Sequence, residues 1–273
     1  MMKRKTILII AVLAALITAV SVSAFFIVQI ITDEKSAAPT ETAPPTVTAP
    51  STEVSVATPS EATVETTKAP VTVPSDLTEL LARCEKTIAD LENAECRQLI
   101  TVDSSGSTAQ ICFYSLSDDA WEKNDALSCN GYVGANGVTD NMHEGSYASP
   151  KGLYSVSDAF YINEPPDTGL SIFRITNDTY WVDDPDSAYY NRRVEGTANM
   201  DWNSAEHMID ATTAYEYGFV IDYNTEAVYN AGSAIFFHVS YNPTAGCVGT
   251  DREMVLQYLS KLDAYKHPYI IIV

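Results

Sequence analysis

Gly232-Ser233-Ala234-Ile235-Phe236-Phe237-His238, followed after four residues by Pro243-Thr244-Ala245-Gly246-Cys247-Val248, is the stretch from which the rest of the chain is best read. Ser233–Val239 is short, apolar and rich in aromatic and branched side chains, so it reads as a strand. Just beyond Cys247, Thr250 and Glu253 have the spacing of a capping box, and Met254, Val255, Tyr258, Leu259 and Leu262 recur as one apolar stripe. That pattern predicts a helix. Tyr269–Val273 then forms a final strand. Cys247 stands three residues before the cap and nine after His238. A thiol near a helix N-terminus is biased toward thiolate, and an imidazole within reach can take its proton.

The texture upstream is the same. Leu99–Val102, Gln110–Tyr114, Tyr132–Val133, Gly152–Val156, Ser171–Ile175, Tyr180–Val182 and Phe219–Tyr223 are short alternating or apolar runs between turn residues. They predict strands, whereas the spacing in Ser204–Tyr217 predicts a helix. The expected fold class is therefore mainly β with a few helices, over residues 98–273. Ahead of it, residues 76–97 read as an amphipathic helix. Asp76 and Glu79 have capping-box spacing, and Leu77, Leu80, Leu81, Cys84, Ile88 and Leu91 form one stripe over 77–94.

Residues 32–75 have a different character. Positions 36–75 hold 22 Ser, Thr or Pro and seven Ala, with no Gly and no aromatic residue. Such a segment cannot bury enough apolar surface to offset its ordering entropy. It should act as a tether, about 35 Å long as a coil and up to ~120 Å if polyproline-like. Residues 1–31 read as a signal-anchor segment: Lys3-Arg4-Lys5 precede an apolar run from Ile7 to Ile31. The run is long enough to span ~30 Å of hydrocarbon, with the basic end in the cytoplasm. Ser23-Ala24 could instead mark a cleavage site. Either way the folded part is expected outside the membrane.

The chain has 16 Lys+Arg against 36 Asp+Glu, a net charge of −20. So acidic a body repels phosphate backbones and anionic lipid, so no nucleic-acid partner is expected and the only membrane contact is the N-terminal segment. Five cysteines, Cys84, Cys96, Cys112, Cys129 and Cys247, leave at least one unpaired or paired to another molecule. On a continuous helix Cys84 and Cys96 would lie ~18 Å apart, too far to bridge. Cys112 and Cys129, on consecutive predicted strands, are the best-placed pair. His143, His207 and His267 read as surface or packing residues, and Asp118-Asp119 and Asp183-Asp184 as solvated. No spacing suggests a zinc site, and no cofactor is expected.

Taken together, these motifs resemble the active-site signature of the L,D-transpeptidase (YkuD-like) catalytic domain. Besides the Gly232–His238 and Pro243–Val248 stretches, the resemblance is carried by Val133-Gly134-Ala135-Asn136-Gly137-Val138 and by Glu144-Gly145-Ser146-Tyr147-Ala148-Ser149-Pro150-Lys151-Gly152-Leu153-Tyr154. Trp181-Val182-Asp183-Asp184, Tyr190-Asn191 and Ala205-Glu206-His207-Met208 look like one branch of that superfamily. Ala245 before Gly246, and Gly249 two residues after Cys247, depart from the commoner form.

The resemblance implies a β-sandwich-like catalytic fold and an extracytoplasmic cysteine enzyme that cross-links peptidoglycan stem peptides. Cys247 would be the nucleophile and His238 the general base. Val239 would orient the imidazole through its carbonyl, and Gly246, with Cys247, would supply oxyanion donors. Thr244, Trp181 and Tyr190 are the candidate substrate-cleft residues. The partners implied are a donor tetrapeptide stem and an amine acceptor, with no metal and no ATP. A hydrolase of the same fold, an L,D-carboxypeptidase, differs only in whether water resolves the acyl-enzyme. A non-catalytic cell-wall module would tolerate loss of Cys247. A papain-like protease has the reverse order of cysteine and histidine.

Overall fold

A computed structural model describes residues 71–273. The 1–31 anchor and residues 32–70 of the tether lie outside them. Among the described residues no helix is long and apolar enough to cross a membrane.

The domain is mainly β. Its long strands come first: β1 (Gln98–Ser105), β2 (Thr108–Ser117) and β3 (Ala120–Tyr132) form a meander. The short pair β4 (Val138–Thr139) and β5 (Ser149–Pro150) precedes β6 (Gly152–Tyr161) and β7 (Ile172–Arg174). Next come β8 (Thr179–Val182), β9 (Arg193–Glu195) and β10 (Ala205–His207), a small separate sheet in the order β10-β8-β9. The chain finishes with β11 (Tyr217–Ile221), β12 (Phe236–Val239), β13 (Val248–Thr250) and β14 (Pro268–Ile272). The main sheet runs β11-β12-β13-β3-β2-β1-β14-β6, and β6 pairs again with β11, which closes it on itself; β7 continues alongside β6.

Closure explains why several strands are apolar without interruption: both faces are covered. Ile100, Val102, Phe219, Ile221, Phe237, Val239, Ile270 and Ile272 share the central cluster. Their neighbours in sequence face outward, Leu99, Ile271 and Val273 into one outer cluster and Val220 and Phe236 into another. The period of two thus sorts each strand between two cores. On β12 this fixes register. A one-residue slip would push His238 into the apolar centre and turn Phe237 outward, burying an imidazole without its partner.

Helix α1 (Ser75–Arg83) and helix α2 (Ile88–Asn93) cover one outer face with Leu77, Leu81 and Leu91. The single helix expected over 77–94 is broken: Glu85 takes the left-handed φ of 55°, and α2 restarts at a capping box between Thr87 and Asp90. Asp76 does not cap α1. It lies inside the first turn and accepts from the Tyr114 hydroxyl at 2.7 Å. The expected tether boundary also shifts, because Thr72 already bridges Ala120 at the start of β3.

Helix α3 (Arg252–Lys261) is the one anticipated before the last strand, and Val255, Tyr258, Leu259 and Leu262 join the central cluster. Its cap is Asp251, whose side chain accepts from the Met254 N–H at 3.0 Å, and not Thr250, which is buried and donates to the Asn130 carbonyl. Asp251→Ala should therefore lower stability by about 1 kcal/mol. The urea midpoint should fall without a change in slope. Ser204–Tyr217 is not a helix: it supplies β10, one 3₁₀ turn at Met208–Asp210 and the start of β11. Pairing of Ala205–His207 with β8 overrides the local helical spacing there.

All five cysteines are free. Cys112 and Cys129 do not pair because Ile111, not Cys112, lies opposite Cys129, so the two thiols fall on opposite faces. Cys112 packs in the outer cluster and Cys129 against the central one.

Candidate active site

β12 and β13 run parallel with Phe237 opposite Val248, so Cys247 lies beside Phe236. Phe236 and His238, two residues apart, share the outward face. The β8–β10 sheet and the residues after it cover this face: Trp181, Tyr215, Phe236 and Cys247 belong to one outer cluster. A cleft of about 420 Å³ opens there, lined among others by His238, Thr244 and Cys247.

His238 is buried, and its Nδ1 lies 2.9 Å from the Val239 carbonyl oxygen. A carbonyl only accepts, so Nδ1 carries the proton and Nε2 keeps its lone pair. Burial pushes the imidazole down to about 4, against the smaller upward pull of the Val239 bond, and the ring is neutral at pH 7. The Cys247 thiol is pushed well up by burial, with Glu206 adding to the shift. Its Sγ donates to the Ala234 carbonyl and accepts from the Phe236 N–H, both at 3.3 Å. The resting pair is thus a neutral thiol and a neutral imidazole. The helix dipole invoked from sequence does not outweigh burial.

The turn bearing Cys247 is held from below. Ser149, fully buried, donates to the Gly246 carbonyl at 2.6 Å and accepts from the Gly134 N–H at 2.9 Å. Thr244 lines the cleft and donates through Oγ1 to the Cys247 carbonyl at 2.6 Å. The same oxygen accepts from the Gly246 N–H at 3.2 Å, so that N–H, expected as an oxyanion donor, is engaged within the turn. Gly246 is needed for space: a Cβ there would meet the Ala148 oxygen at 3.1 Å and the Ile235 side chain at 3.2 Å.

A second support runs through Asn191. Its Oδ1 accepts from Trp181 Nε1 and from the Ala234 N–H, both at 3.0 Å, and its Nδ2 donates to the carbonyls of Tyr223 and Asn224, both at 2.9 Å. This holds Ala234 at φ 54°, a left-handed conformation costing an L-residue roughly 1–2 kcal/mol, with its carbonyl on Cys247 Sγ. Trp181 and Tyr190, expected in the cleft, do not line it. Trp181 packs edge-on against Phe236 behind the wall, and the Tyr190 hydroxyl donates to Glu144 while accepting from the Gly232 N–H. Their polar tips are satisfied inward, which makes them supports.

Three carboxylates missing from the expected set do line the cleft: Glu144, Asp183 and Glu206. The Tyr215 hydroxyl donates to Glu206. Burial, reinforced by Asp183 and Glu144, raises Glu206 to about 7 against the opposing Tyr215 bond. Asp183-Asp184 are not solvated as expected: Asp184 is buried and accepts from the N–H groups of Asn203 and Asp186. Glu206 stood inside one of the resemblance motifs but was not singled out as a site residue among 36 acidic residues, and Tyr215 carried no signal at all. His143 and His267 are exposed, and His207 stacks on Tyr180.

The raised Glu206 has a signed consequence. Its folded-state value lies above 4.5, so the native state binds the extra proton between about 4.5 and 7, and stability is lost as pH rises through that window. Glu206→Gln should remove this loss. Relative to wild type, its urea midpoint should climb from pH 4.5 to 7.

No protein-family model, curated protein or solved structure matches the chain.

Proposed function

We propose that the protein is an extracytoplasmic cysteine acyltransferase of the L,D-transpeptidase type that cross-links peptidoglycan stem peptides. The observation that carries the reading is that His238, on β12, and Cys247, at the entry to β13, line one cleft, with the Nδ1 proton of His238 directed at the Val239 carbonyl. The domain is read as that family's β-sandwich-like fold. Support comes from the two-sided packing of β12 and β13, with the central cluster on one side and a second layer, from β8 to β10, on the other.

In this mechanism, Cys247 Sγ attacks the carbonyl of the third stem residue as His238 Nε2 takes its proton. Proton transfer accompanies attack because neither group is charged beforehand. The Cys247 N–H holds the developing oxyanion, a contribution of the order of 2.7–4 kcal/mol for such a donor. The carbon–nitrogen bond to the terminal D-alanine breaks, and His238 returns the proton to the departing amine. An incoming amine then attacks the thioester, loses its proton to His238 and releases the thiol. One amide replaces another. The N-terminal segment would hold the domain at the outer face of the membrane, on a tether able to reach the wall.

The test is mass spectrometry of products after incubating the full chain with muropeptides bearing tetrapeptide stems. Cross-linked dimers lacking one D-alanine are expected. Tripeptide monomers alone would make the protein an L,D-carboxypeptidase, and no product across stem types would remove the enzymatic reading.

A further inference from the structure

Glu144, Asp183 and Glu206 line the cleft beside Cys247, and no Lys or Arg side chain does. Among the described residues none of the three forms an ion pair. Glu144 and Glu206 each hold a tyrosine hydroxyl, but Asp183 Oδ1 is buried with no hydrogen-bond partner. Ser233 Oγ is in the same condition, on a residue only 9% exposed that lines the same cleft. Buried polar atoms are almost always paired, and a carboxylate oxygen left without a donor is costly. Two such atoms on one cleft, beside uncompensated negative charge, describe a place completed by a ligand that brings donors and positive charge.

We propose that this wall binds a primary ammonium group carried by the substrate, with Asp183 and Glu206 supplying the opposing charge and Ser233 Oγ a further acceptor. An ammonium has three donors and no acceptor, and this wall presents acceptors. A chelated metal ion suits it less, because among the described residues no three carboxylate, thiol or imidazole groups are drawn together closely enough to hold one. The choice of a stem peptide as the molecule bearing the ammonium rests on the acyl-transfer reading above; the cation site itself does not. Occupancy would also act on the thiol. Glu206 is one of the groups that hold Cys247 in its protonated form, and a cation beside Glu206 offsets that effect.

The experiment is a calorimetric titration of the full-length Cys247→Ser chain with two probes, Nα-acetyl-L-lysyl-D-alanine and the same dipeptide acetylated at Nε. The free amine should bind about tenfold more tightly or better, as expected for a charge-assisted contact in a partly buried site. The preference should shrink with added salt. Asp183→Asn, which keeps the shape of the side chain, and separately Glu206→Gln, should each erase most of it, and Ser233→Ala should reduce it. Equal affinity for the two probes, binding of neither in the millimolar range, or a preference untouched by all three substitutions would overturn the proposal. The two readings separate cleanly. A chain that prefers the free amine but forms no thioester keeps the ammonium site and loses acyl transfer, and thioester formation without the preference does the reverse.

Discussion

Replacing Cys247 with serine is expected to lower turnover by ten-thousandfold or so, while the protein stays folded. The size follows from what is removed. A thiol loses its proton far more readily than a hydroxyl, and His238, held neutral by burial, is too weak a base to compensate. The fold should hardly notice. The serine hydroxyl can keep the bond to the Ala234 carbonyl, and Ser149 and Thr244 grip backbone atoms that do not change. A shift of no more than about 1.5 kcal/mol in unfolding free energy is expected, typical of exchanging one satisfied buried hydrogen bond for another. Activity within tenfold of wild type would remove Cys247 from the nucleophile's role.

The second large effect is at His238. His238→Gln should cost on the order of a hundredfold to ten-thousandfold in kcat/KM, the usual range for a lost general base. The pH profile tells a catalytic role from a structural one. Because burial holds the free imidazole down to about 4, wild type should keep its acid limb near that value and not near the 6.5 of an ordinary histidine. In His238→Gln the limb should vanish. Folding has its own dependence on this group. The unfolded chain binds the proton more readily between about 4 and 6.5, so the histidine's part in stability is present above that window and lost as pH falls through it. An acid limb that persists in the variant would assign it to another group.

Some of this was legible in the residues and some was not, for reasons that differ by position. Strands such as Leu99–Val102 and Tyr269–Val273 announce themselves because β-branched and aromatic residues cluster between turns, and of the strand expected over Ser233–Val239 the part Phe236–Val239 forms. That each serves two cores at once requires the closed sheet, which no local pattern encodes. The helix stripe of Leu77, Leu81 and Leu91 was visible, but the break at Glu85 was not, since a left-handed glutamate leaves no mark in composition. Ser204–Tyr217 was misread because Glu206 and His207 pair with Trp181 and Tyr180, a contact made only by folding.

The candidate site divides the same way. Cys247 and His238 stand out by residue type and spacing, and the resemblance adds Val239 through its place after the histidine. Ser149, buried, and Asn191, half-buried, are common polar residues whose importance lies in the hydrogen bonds they make at the two supports of the cysteine turn. Trp181 and Tyr190 were expected at the cleft on resemblance, whereas packing sets them one layer behind it. Glu144, Asp183 and Glu206 stood within the resemblance motifs, but nothing in so acidic a sequence marked them as cleft residues; that follows only from where the fold sets them.

In the proposed reaction Cys247 carries the acyl group. The most direct measurement is the intact mass of the full-length protein after brief mixing with a tetrapeptide-bearing muropeptide, followed by peptide mapping. An increment equal to the muropeptide less its terminal D-alanine is expected, located on Cys247 and discharged when an amine acceptor is added. An unmodified Cys247 across stem types, in protein whose thiol still reacts with a small alkylating agent, would contradict it.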